Sequence, residues 1–241
     1  MVARNLAIAT TLLLTSATAM ADPGYYLVTV YENEGEVNLD YRFWNVKFPG
    51  SSATIWPEIG VGYGVTKRWY TELLASYIGS NTMATKLSSL NWQNDYLLTQ
   101  GQYDFDLALH TNLVHNYGGG NALEYGPVLQ TELGRLQLNA NLIFERPFNT
   151  GRANPTQLKY QWQTKYRWKP AFQFGLQGFG EVGPWDHWSP GNRQSHRLGP
   201  MISGILPVGN AGEFKYQAAF LTGSIYGSDG HMFSMRLQYE F

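Results

Sequence analysis

The chain has 241 residues, a net charge of −1, no cysteine and an aromatic content of 15%. The absent cysteine excludes a disulfide framework and any thiolate metal site, and near-neutral charge argues against a nucleic-acid-binding protein. After the first 21 residues no stretch approaches 18 continuous apolar positions, so helical membrane spans are excluded as well.

Residues 1–21 read as an export signal. Arg4 supplies the positive start, Leu6 to Leu14 a short apolar core, and Ala19-Met20-Ala21 the small-x-small pattern before a cut. That apolar core is shorter than the roughly 20 residues a membrane-crossing helix needs. The expected mature chain therefore begins at Asp22. Residues 22–35 are expected to form an amino-terminal extension on the periplasmic side, with 24–33 either outside the fold or inserted as a strand into its mouth.

From Glu36 onward, apolar and polar residues alternate over segments of about ten residues, the length of a tilted membrane strand. Strands are predicted near 36–46, 54–65, 67–78, 86–99, 102–114, 122–133, 135–146, 156–168, 171–182, 193–206, 212–223 and 231–241. Short links such as Thr66-Lys67, Gln100-Gly101, Gly134, Lys169-Pro170 and 208–211 alternate with turn-rich ones at 47–53, 79–85, 115–121, 147–155, 183–192 and 224–230. Twelve strands with this rhythm predict an all-β fold, a transmembrane antiparallel up-and-down β-barrel with short periplasmic turns and longer extracellular loops. Residues 22–241 would form this one unit, in the bacterial outer membrane. Pro57, Pro127 and Pro200 fall inside predicted strands, where each removes a ladder donor. Trp69, Trp92, Trp162 and Trp168 are candidates for the aromatic girdles.

The chain ends Phe233-Ser-Met-Arg-Leu-Gln-Tyr-Glu-Phe241, with apolar residues at every second position. Phe233, Leu237, Tyr239 and the terminal Phe241 resemble the assembly signal of outer-membrane barrels. That resemblance implies the barrel-assembly machinery as a partner, alongside outer-membrane lipid and lipopolysaccharide.

The segment Tyr25-Tyr-Leu-Val-Thr-Val-Tyr-Glu-Asn-Glu-Gly-Glu36 followed by Val37-Asn-Leu-Asp-Tyr41, and later Pro57-Glu-Ile-Gly-Val-Gly-Tyr-Gly-Val-Thr-Lys-Arg-Trp-Tyr70, resembles the transporter-like MetA-pathway phenol-degradation family. The resemblance covers residues 24–78. It implies uptake of aromatic compounds only at the level of the family's name, and it transfers no functional residue.

Taking the face opposite the apolar residues as the lumen, early and middle strands turn Glu58, Glu72, Asp95, Asp104, Asp106, Glu124 and Glu132 inward. Later strands turn in Arg135, Lys159, Lys165, Arg167, Arg197, Lys215 and Arg236. Asp40, Arg42, Glu145, Glu181 and Glu240 are exceptions that would offset the two walls. The expected function is passive uptake of small solutes, with aromatic or zwitterionic ones as candidates; a closed structural or adhesion-type barrel is the alternative. An outer-membrane hydrolase is the least favoured reading. His110, His115, His187, His196 and His231 offer no paired nucleophile, since Ser195 and His196 would face opposite sides of one strand. No catalytic residue, metal site or cofactor is expected.

Overall fold

The computed structural model describes residues 25–30, 34–151, 154–209 and 212–241. The export-signal reading of residues 1–21 lies outside them, as do residues 22–24 and 31–33. Twelve antiparallel strands are formed by the described residues: β1 Val37–Lys47, β2 Thr54–Thr66, β3 Trp69–Ser80, β4 Met83–Leu97, β5 Phe105–Asn116, β6 Gly120–Leu133, β7 Leu136–Phe148, β8 Gln157–Lys169, β9 Phe172–Pro184, β10 Ser195–Val208, β11 Gly212–Ile225 and β12 Ser228–Glu240. Each pairs with its sequence neighbours, and β1 closes on β12 from Asn38↔Glu240 to Lys47↔His231. Closure leaves no open sheet edge, the condition for a sheet to sit in lipid.

Alternation along each strand separates two environments. On β1, Asn38, Asp40, Arg42, Trp44 and Val46 are buried, while Leu39 and Tyr41 between them are exposed. On β2 and β3, Ile59, Val61 and Leu73 are more than half exposed, whereas Glu58 and Glu72 are buried. Charged residues inside and aliphatic residues outside invert the pattern of a protein in water. The outer surface is that of a barrel with lipid around it.

The strand prolines leave the register intact. β2 pairs with β3 at Ile55↔Gly79 and again at Glu58↔Ser76, skipping Trp56 and Pro57. β6–β7 skips Gly126-Pro127 and β10–β11 skips Gly199-Pro200 in the same way. Each proline thus faces a local gap in one ladder, not a bulge. At the latter two sites a side chain on the glycine would lie 1.8 Å from the Leu142 carbonyl and 1.9 Å from that of Phe220, so only glycine permits the approach.

The two longest links, at 149–156 and 185–194, lie at the end opposite the termini together with that at 48–53, the extracellular end in barrels of this type. Three other links there are tighter than the turn-rich composition predicts: Asn81-Thr82, residues 117–119 and Tyr226-Gly227. In the last, φ is 50° at Tyr226 and 82° at Gly227, a two-residue turn whose twist matches that of its flanking strands. At the terminal end, the link after β4 runs from 98 to 104 and is longer than the predicted Gln100-Gly101. Of the girdle candidates, Trp69 and Trp168 sit at strand ends near the termini, while Trp92 and Trp162 lie mid-strand.

Candidate functional site: an occupied lumen

The interior of the barrel holds a piece of its own chain. Tyr25, Tyr26, Leu27, Val28 and Val30 are all buried, although none belongs to a strand. Of the two placements the sequence leaves open for this segment, residues 25–30 take the one inside the barrel.

Specific polar contacts hold the segment. Tyr25 donates its hydroxyl to Glu181 at 2.8 Å, and Ser234 contacts the Tyr25 carbonyl. Tyr26 donates to Gln93 at 3.2 Å. The Val28 N–H donates to the Gln161 side-chain oxygen at 3.1 Å, and Asn141 donates to the Val28 carbonyl at 2.9 Å. The rings are bracketed by cations. The Arg42 guanidinium lies 3.7 Å from the centre of the Tyr26 ring, Arg236 lies 5.7 Å from it, and Arg197 lies 3.9 Å from that of Tyr25. Tyr25 also meets Trp44 and Phe179 edge-on, within an apolar cluster that includes Met201, Leu221 and Met232.

Around the segment, the wall carries buried ion pairs that follow from register. Barrel closure sets Arg42 directly opposite Arg236, and the β6–β7 pairing sets Glu124 opposite Glu145. Like charges in such positions repel. Each pair is relieved by a third group. Asp40 accepts from Arg42 at 2.8 Å and from Arg236 at 2.7–2.9 Å. Lys159 contacts Glu145 and lies 3.8 Å from Glu124. Arg42 also reaches Glu72 at 2.5 Å and Glu58 at 4.0 Å. Asp95 and His110, cross-strand partners on β4 and β5, are 2.6 Å apart. Arg197 donates to Glu181 at 2.6 Å.

The residues predicted to line the lumen fall into three groups. Glu58, Glu72, Asp95, Glu124, Lys159, Arg197 and Arg236 are buried in the interior. Asp106, Lys165, Arg167 and Lys215 are half-buried, and Glu132 is exposed while accepting two bonds from Arg167 at 2.7 Å each. Asp104 and Arg135 lie in links between strands and are exposed. Phe233, Leu237, Tyr239 and Phe241 follow β12 out to the terminus. Phe233 and Phe241 are exposed, Leu237 and Tyr239 half-buried, and Tyr239 packs edge-on against Phe241. Sequence reasoning treated Asp40, Arg42, Glu145 and Glu181 as exceptions, yet they sit at the centres of the interior pairs. Ser195 is fully buried and His196 exposed, on opposite faces of β10.

At the terminal end the lumen widens into a vestibule of about 620 Å³, with Leu27 and Thr29 among its lining residues. Its wall is rich in Lys, Arg and Gln from β7 to β12, and among the described residues no carboxylate lines it.

No family model matches the sequence, and no curated protein matches it either. The likeness of residues 24–78 to the MetA-pathway family therefore has no family match behind it. Solved structures do match. The NanC porin is 11% identical, with a TM-score of 0.57 over 84% of this chain and 98% of that one. The COG4313 outer membrane channel from Pseudomonas putida F1 is also 11% identical, with a TM-score of 0.59 over 92% of this chain and 99% of that one. At that identity the likeness is one of fold. Together with the apolar exterior, it gives the chain the architecture of an outer-membrane β-barrel.

Proposed function

We propose that the protein is an outer-membrane channel for passive uptake of small solutes, closed at rest by residues 25–30. The observation that carries this reading is that a short segment, not the wall alone, fills the lumen. Burying an aliphatic or aromatic side chain contributes about 1.5–3 kcal/mol, while ordering one residue of backbone costs about 1–2 kcal/mol. The two effects are of one size, so a six-residue insert is held with little surplus and is displaceable. A wall packed shut by its own side chains would have no such element. The matched NanC and COG4313 proteins are a porin and an outer membrane channel, which is in keeping with this reading.

The polar lining favours solutes with charge or strong dipoles, zwitterions included, over purely apolar ones. The aromatic substrates implied by the family resemblance have no support of their own beyond Tyr25 and Tyr26. A closed structural barrel is the second reading, favoured by the interlocked pairs around Arg42 and Lys159. We further propose that export is followed by cleavage after Ala21, which would leave only residues 22–24 ahead of Tyr25 in the lumen.

Acidic residues on β2 to β6 and basic residues on β8 to β12 would set a field across the open lumen. Neutralising Lys159, Lys165 and Arg167 together is then expected to shift ion selectivity toward cations, because the acidic wall loses its counterweight. Planar-bilayer reversal potentials in a salt gradient read this directly, with heat-modifiable migration as the check on folding. An unchanged reversal potential in a folded, conducting variant counts against the transverse field. A wild-type barrel that never opens supports the structural reading.

A further inference from the structure

We infer that the vestibule at the terminal end is a binding site for small organic anions that carry hydroxyl groups beside a carboxylate. Six cations line it, and three of them are already committed. Arg167 is paired with Glu132, Lys215 with Glu240 and Arg236 with Asp40. The other three, Arg135, Lys165 and Lys169, form no salt bridge among the described residues. Among the described residues the vestibule therefore holds a surplus of positive charge with no acid on its lining, within low-dielectric walls that strengthen the attraction for an anion.

A second, independent observation points to a ligand. Ser203 and Gln238 line the same space and are 7% and 8% exposed, yet the Ser203 hydroxyl and the Gln238 side-chain nitrogen have no hydrogen-bond partner among the described residues. Buried polar groups are seldom left so. Both groups can donate, so a small turn of either side chain toward the space would offer it to hydroxyl or carboxylate oxygens on a molecule bound between them and the cations that form no salt bridge. A cavity of about 620 Å³ accommodates a molecule the size of a sugar acid. The site deepens the channel reading, and rests on it for its role in transport, but binding itself does not require conduction.

The test is calorimetric titration of the full-length detergent-solubilised barrel with gluconate at low ionic strength, with glucose as the uncharged counterpart. Saturable gluconate binding is expected, with little or none for glucose. Lys165→Gln should weaken it about tenfold or more, the effect of losing one charge-assisted hydrogen bond, and Arg135→Gln should weaken it in the same direction. Heat-modifiable migration confirms that each variant is folded, and Lys165→Arg, which keeps the charge, should retain most of the affinity. Absence of saturable binding, equal binding of glucose, or wild-type affinity in the Lys165→Gln, Arg135→Gln double variant would overturn the inference. A barrel that binds gluconate but never conducts would keep the site and remove the channel reading. One that conducts without binding would do the reverse.

Discussion

Replacing Arg42 by alanine is expected to destabilise the folded barrel by about 3–5 kcal/mol, the usual result of removing one partner from a buried ion pair. Arg42 and Glu72 have no side-chain exposure, and the same guanidinium serves Asp40 and stacks on Tyr26. Without it, Asp40 keeps Arg236, but Glu72 loses its closest cation in a site closed to bulk solvent. Adding Glu72→Gln to the alanine variant should recover part of the loss, because the stranded charge is then gone. Urea titration of the folded fraction in lipid vesicles measures both. A loss below about 1 kcal/mol, the range of an exposed pair, would mean that water reaches Arg42 and that the interior is open at rest.

Deleting Phe241, or replacing it with aspartate, is expected to abolish most assembly in cells while leaving the stability of refolded protein nearly unchanged. The ring is 59% exposed and meets Tyr239 edge-on, so the finished barrel loses little packing with it. Charge at a barrel's lipid face costs least near the interfaces, where this terminus lies. The effect should therefore come from recognition during assembly. Glu240 is the contrasting position. It is buried and paired with Lys215, so its replacement should lower stability in vitro and impair assembly less than loss of Phe241. Equal amounts of heat-modifiable barrel in the membrane for the Phe241 and Glu240 variants would remove the terminal aromatic from the recognition signal.

The strands were legible because a wall between lipid and a polar lumen forces side chains to alternate, and a period of two survives in sequence. The predicted and observed ranges of β7 and β8 differ by no more than two residues at any end, since Leu136–Leu142 alternates throughout and Leu158–Trp168 departs from alternation at Thr164 alone. The tight turn at Tyr226-Gly227 was hidden because a turn-rich stretch looks the same whether it loops or pairs down to two residues. The lumen's contents were less accessible for a different reason. Asp40 meets Arg236 only because the barrel closes, across 196 positions of sequence. Lys159 serves Glu124 from a strand two removed. Such contacts depend on curvature, which no strand encodes alone. Tyr25-Tyr-Leu-Val lacks alternation, and nothing in it tells an interior insert from an extension; its partners Gln161, Asn141 and Glu181 are spread over three strands.

On the proposed reading, residues 25–30 close a lumen that would otherwise conduct. Its most direct test is single-channel recording of the wild-type barrel beside a variant lacking these six residues, both shown to be folded by heat-modifiable migration. Brief, infrequent openings are expected for the wild type and a sustained conductance for the deletion, through a lumen still lined by Arg42, Glu72, Lys159 and Glu124. A folded deletion variant as silent as the wild type would contradict it, and would show that the wall's own ion pairs seal the barrel.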